Sequence, residues 1–121
     1  MSDEGSRGGV TRYGMVIRIR PGRIEEYRRL HADAWPGVLA TIRACGIVNY
    51  SIFLREVEPG CHLLFSYFEY AGGDFKADME KMAADPVTQE WWKACVPCIE
   101  PIENAGDGEL WSVMEEVFHC D

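Results

Sequence analysis

The sequence predicts an α+β domain: an antiparallel four-stranded sheet with helices on one face, in the order βαββαβ. Three observations lead there. Residues after Gly14 alternate in polarity, Arg23 to Cys45 repeats with helical spacing, and two β-rich runs flank a Pro-Gly turn before residue 71.

The first strand has Met15, Ile17 and Ile19 on one face and Val16, Arg18 and Arg20 on the other, and Pro21-Gly22 ends it. A helix follows from Arg23 to Cys45, with Ile24, Tyr27, Leu30, His31, Ala34 and Trp35 along its apolar stripe. Pro36 breaks or kinks it, because proline lacks the backbone donor and crowds the preceding turn. Val38, Leu39 and Ile42 continue the stripe, and Gly46 stands where a left-handed C-cap is needed. Ile47 to Val57 and Cys61 to Tyr70 form a hairpin around Glu58-Pro59-Gly60. Asp74 caps a helix from Phe75 to Ala84, and Asp85-Pro86 opens another from Val87 to about Val96. A last strand, Glu109 to Phe118, follows a polar loop at Glu103 to Gly108.

This order is the ferredoxin-like split βαβ arrangement. Helices on one side leave the other side of the sheet bare. Tyr50, Ile52 and Leu54 lie opposite Ser51 and Phe53, so the second strand is apolar on both faces. A second copy of the chain is the simplest cover, which predicts a homodimer. Residues 1–12 read as a flexible tail ahead of one folded unit, 13–121.

Composition narrows the function. The chain has 121 residues, 47% hydrophobic and 26% charged, as expected of a folded soluble protein. No apolar run reaches the ~18 residues a membrane span requires. A net charge of −8 argues against nucleic-acid or anionic-membrane partners. All nine Arg lie at or before Arg55 and all three Lys after it, so the two halves carry about +4 and −12. That division suits charge-complementary assembly and equally suits solvated faces. Five Cys, an odd number with no secretory signal, fit free thiols in the cytoplasm.

Tyr27, His31 and Trp35, four apart and four apart, form one stripe on a helix. An imidazole exchanges protons near neutral pH, and a phenol one turn away can bind the same ligand. The same stripe also suits a purely structural helix face. Trp91-Trp92 point ~100° apart on a helix, so one can enter the core while the other lines a cleft. Indole faces stack on pyranose C–H faces, and the N–H can donate to a hydroxyl. Cys95-Val96-Pro97-Cys98 has the spacing of a redox pair or half a zinc site, but no second such pair exists and it closes a helix rather than opening one.

Four blocks, in order, carry a family resemblance: Tyr27-x-x-x-His31-x-x-x-Trp35-Pro36, Asn49-Tyr50-Ser51-Ile52-Phe53-Leu54, Trp91-Trp92-Lys93 and Glu116-Val117-Phe118. Together they resemble the L-rhamnose mutarotases from Tyr13 onward. The resemblance implies a dimeric α/β barrel of ferredoxin-like subunits, no cofactor, no metal, and a monosaccharide substrate. It implies His31 as the proton donor and Tyr27, Tyr50, Trp91 and Trp92 as sugar contacts. Two positions and one segment depart from the family: Gly37 stands where members usually carry an acidic residue, Phe53 where many have a tyrosine, and Glu103 to Gly108 replaces a Pro- and Ser-containing segment.

Anomer interconversion is compatible with these residues. A proton leaves the anomeric hydroxyl, another reaches the ring oxygen, and the opened aldehyde rotates and recloses. His31 as acid, with Tyr27, a water or a carboxylate as base, covers both transfers. The same architecture also hosts cofactor-independent monooxygenases and non-catalytic sugar-binding modules. A monooxygenase calls for a more apolar pocket and consumes oxygen, and a binding module saturates without changing a rate.

Overall fold

The computed structural model describes residues 10–121. Strand β1 spans Thr11–Ile19, and a 3-10 turn at Pro21–Arg23 leads into helix α1, Ile24–Ala32. Helix α2 is Pro36–Ala44, β2 Ile47–Glu58 and β3 Cys61–Tyr70. Helices α3 (Phe75–Ala84) and α4 (Pro86–Cys95) precede a 3-10 turn, Val96–Cys98, and the short strands β4 (Ile99–Glu100) and β5 (Ser112–Met114). The sheet order is β2-β3-β1-β4, with β5 also on β1, and every pairing is antiparallel. This is the ferredoxin-like order expected from the sequence.

Two elements differ from expectation, the final strand and an added short one, whereas the long first helix breaks at Pro36 as expected, Trp35 taking an extended backbone (φ −65°, ψ 133°) ahead of it. The proline ring disfavours a helical residue before it, so α2 restarts with Pro36 at its first position. The final strand is only Ser112–Met114, since its ladder covers Gly14 to Val16 of β1 alone. Beyond it, chain contact passes to an ion pair of Arg12 with Glu116, while Val117 and Phe118 are 86% and 80% exposed. Ile99–Glu100 adds a strand that two residues of alternation are too short to announce. Of the expected tail, residues 1–9 lie outside the described residues, and Thr11 and Arg12 are already in β1.

The caps form as expected. Asp74 accepts from the Ala77 N–H, and Asp85 accepts from the Thr88 N–H and from the hydroxyls of Thr88 and Thr41. The last contact ties α2 to the start of α4. Gly46 has φ +86°, and an added Cβ there sits 3.0 Å from both the Gly72 nitrogen and the Tyr70 ring.

The core lies between the helices and one sheet face. Ile17, Ile19 and Leu64 point inward from β1 and β3 against Tyr27, Val38, Trp91 and Ile99. A second cluster joins Ile47, Phe68 and Tyr70 to Tyr13 and Phe75. Strand β2 directs Tyr50, Ile52 and Leu54 to the helix side. The register Phe53↔Phe65 and Arg18↔Leu63 puts those four residues on the other face, where Phe53 is 62% exposed.

Gly60 also has positive φ (+79°) but open space around it. Gly46→Ala is therefore expected to destabilise by about 1–3 kcal/mol, and Gly60→Ala by less. Urea midpoints of the two variants check the ranking.

Candidate active site

Helix α1 places Tyr27 and His31 one turn apart, and their rings stack with centroids 4.1 Å apart at 27°. His31 Nδ1 lies 2.9 Å from the Tyr27 carbonyl oxygen. A carbonyl can only accept, so Nδ1 carries the hydrogen and Nε2 keeps a lone pair. Helix α4 brings Trp91 edge-on to His31 at 5.1 Å, and Trp35 meets Trp91 at 5.2 Å. Tyr50, from β2, reaches the same cleft and is edge-on to Phe68 at 5.5 Å.

Tyr27, His31, Tyr50 and Trp91 border a cavity of about 510 Å³ between α1, α2, α4 and the sheet. Among the described residues, the hydroxyls of Tyr27 and Tyr50 and Nε2 of His31 have no protein hydrogen-bond partner. Unpaired polar atoms on residues that border a cavity are available to a ligand.

Burial sets the protonation states. Desolvation lowers the His31 pKa from its ordinary value of 6.5, outweighing the opposing pull of the Tyr27 carbonyl. Imidazole is therefore neutral at pH 7, with Nε2 a base. Desolvation raises both phenols, helped at Tyr27 by Tyr50, so both stay protonated. The Tyr50 phenol is affected even though 44% of the residue surface is exposed.

Of the residues the resemblance implied, Tyr27, His31, Tyr50 and Trp91 border one cavity. Trp92 is 40% exposed and is not among the residues that border the cavity. Trp35 packs against Trp91 from behind. Sequence reasoning passed over Arg28, which borders the cavity and is ion-paired with Glu25. Its spacing of three from His31 is the signal that it shares that face. Of the departures from the family pattern, none borders the cavity. Gly37 lets α2 approach α4: a Cβ there meets Val87 Cγ1 at 3.1 Å. Phe53 belongs to the bare sheet face.

Cys95 and Cys98 are buried free thiols, and burial pushes Cys95 up to about 12. A thiol so rarely ionised is poorly suited to exchange or metal binding. Among the described residues no three His, Cys, Asp or Glu side chains are grouped to hold a metal.

Fold and site define a ferredoxin-like α+β protein with an aromatic cleft around a neutral imidazole. Comparison with known proteins names the family. The family model for L-rhamnose mutarotase matches residues 12–120. The L-rhamnose mutarotase of Oceanobacillus iheyensis is 32% identical over 112 residues, 93% of this chain and all of that one. The chain belongs to the L-rhamnose mutarotase family. Among solved structures, the L-rhamnose mutarotase of Formosa agariphila superposes with a TM-score of 0.66 at 20% identity, covering 92% of this chain and 99% of that one. Tetracenomycin F2 cyclase of Streptomyces glaucescens, a polyketide cyclase, reaches 0.64 at 19%, covering 92% and 97%. At such identities both likenesses speak to the fold alone, which hosts unlike chemistries.

The His31 protonation state is directly observable. An NMR titration of its ring Cε1–H is expected to show a midpoint below 6.5, and a midpoint above that value contradicts the desolvated site.

Proposed function

We propose that this chain interconverts the α and β anomers of L-rhamnose or a related deoxyhexose by cofactor-free ring opening and closure. The observation that carries the proposal is the pair of opposed proton states one helical turn apart: a neutral imidazole with Nε2 free, and a phenol kept protonated. Family membership supports the substrate, and Trp91 and Tyr50 supply the stacking and hydrogen-bonding surfaces a pyranose uses.

In ring opening, Nε2 of His31 takes the proton of the anomeric hydroxyl, C1–O1 becomes a carbonyl, and the C1–ring oxygen bond breaks. The ring oxygen takes its proton from Tyr27 or from a water that Tyr27 orients. After rotation about C1–C2, ring closure runs the transfers backward, and His31 returns its proton to the new anomeric oxygen. His31 is thus base on opening and donor on closing. The sequence reading began with His31 as acid; its neutral resting state favours starting from the base. No carboxylate borders the cavity among the described residues, which leaves Tyr27 and water as second partner.

His31→Ala is expected to lower the enzyme-dependent exchange rate at saturating sugar by about 10²–10⁴-fold. Tyr27→Phe keeps the stack and removes only the hydroxyl, and its expected loss is smaller, roughly tenfold or more. Saturation-transfer proton NMR on L-rhamnose reads both, and wild-type rates in folded His31→Ala sink the assignment.

We place the protein in the cytoplasm as a homodimer. All five cysteines are free, which fits a reducing compartment, and no helix among the described residues is long and apolar enough to cross a membrane. Phe53, Leu63, Phe65 and Met114 make the bare sheet face apolar, and buried Arg18 Nε on the same face has no hydrogen-bond partner. A second copy covers that surface and brings an acidic and a basic half together. Phe53→Asp is expected to shift sedimentation toward the monomer; an unchanged mass points to a different assembly surface.

A further inference from the structure

The cleft is poorer in hydrogen-bonding side chains than a fully hydroxylated hexose needs. Of the described residues that border it, only Tyr27, Arg28, His31, Tyr50 and Trp91 carry a polar side-chain atom. The border contains no carboxylate, carboxamide or aliphatic hydroxyl. The other bordering side chains are isoleucine, valine, leucine and alanine, contributed by all three long strands, α1 and α2.

If the mutarotase reading above holds, ring opening occupies His31 and Tyr27 with the anomeric and ring oxygens. That leaves Arg28, already engaged by Glu25, with Tyr50 and Trp91 as the polar side chains bordering the cavity for the hydroxyls on C2, C3 and C4. A further hydroxyl on C6 then faces aliphatic carbon and loses its water without a replacement partner. A ring hydroxyl masked as a methyl ether keeps its oxygen as an acceptor for these donor groups and gains apolar burial. The cavity, at about 510 Å³, also has room beyond one pyranose ring.

We propose that the cleft accepts O-methylated reducing 6-deoxyhexoses at least as well as the unmodified sugar, and rejects the 6-hydroxy hexose. One buried methyl is worth roughly a fourfold gain in kcat/KM. One unpaired hydroxyl costs on the order of tenfold or more.

Saturation-transfer NMR with the full chain, comparing L-rhamnose, its 2-O-, 3-O- and 4-O-methyl ethers, and L-mannose, tests this. L-Mannose differs from L-rhamnose only in the C6 hydroxyl. The expected result is one ether or more with kcat/KM no lower than that of L-rhamnose, and L-mannose lower by about tenfold or more. The proposal is overturned if L-rhamnose is accelerated while all three ethers fall below it, or while L-mannose matches it. Acceleration of none of the sugars, L-rhamnose included, removes the mutarotase reading and this proposal with it.

Discussion

The hydrogen bond from His31 Nδ1 to the Tyr27 carbonyl, with the two rings stacked beside it, governs what this cleft can do. It fixes the imidazole tautomer using backbone that α1 must supply anyway, and it leaves one nitrogen for a ligand. Burial against Trp91 and Tyr27 then disfavours the imidazolium, so the free nitrogen rests as a base. The same burial keeps the neighbouring phenol protonated. One cause, desolvation, thus lowers one pKa and raises its neighbour's, so both groups rest neutral.

Holding α1 at that depth requires the rest of the fold. Ile17, Ile19 and Leu64 form the floor, and α4 supplies Trp91 as a wall. The break at Pro36 redirects α2 so that Val38, Leu39 and Ile42 close the same cavity. Asp85 couples α2 to α4 through Thr41 and Thr88, and Gly37 permits their close approach at Val87. Position 37 is therefore a packing feature between two helices, outside the border of the cavity.

Much of this was legible in the sequence where periodicity or cap chemistry is local. The alternation of β1, the Asp74 and Asp85 caps, and Gly46 at positive φ all follow from residues within a few positions of one another. The spacing of Tyr27 and His31 placed both on one helix stripe, which suited a structural face equally, and the helix geometry delivered their stack. What was not legible depends on distant partners. The β5 ladder stops at Met114 although β1 runs on to Thr11, which no local pattern announces, and Ile99–Glu100 is a strand only because β1 lies beside it. Adjacent tryptophans look alike in sequence; α4's orientation alone puts Trp91 in the core and leaves Trp92 40% exposed. Arg28 was hidden by being one charged residue among several on α1.

The most direct test is the pH profile of enzyme-dependent anomer exchange on L-rhamnose, with the buffer-catalysed background subtracted. A resting base at His31 predicts a rate that is flat near neutrality and falls with acidity, with an apparent midpoint below the ordinary imidazole value of 6.5. A rate that instead climbs as the pH drops through that range means the working form is the imidazolium, and contradicts the account.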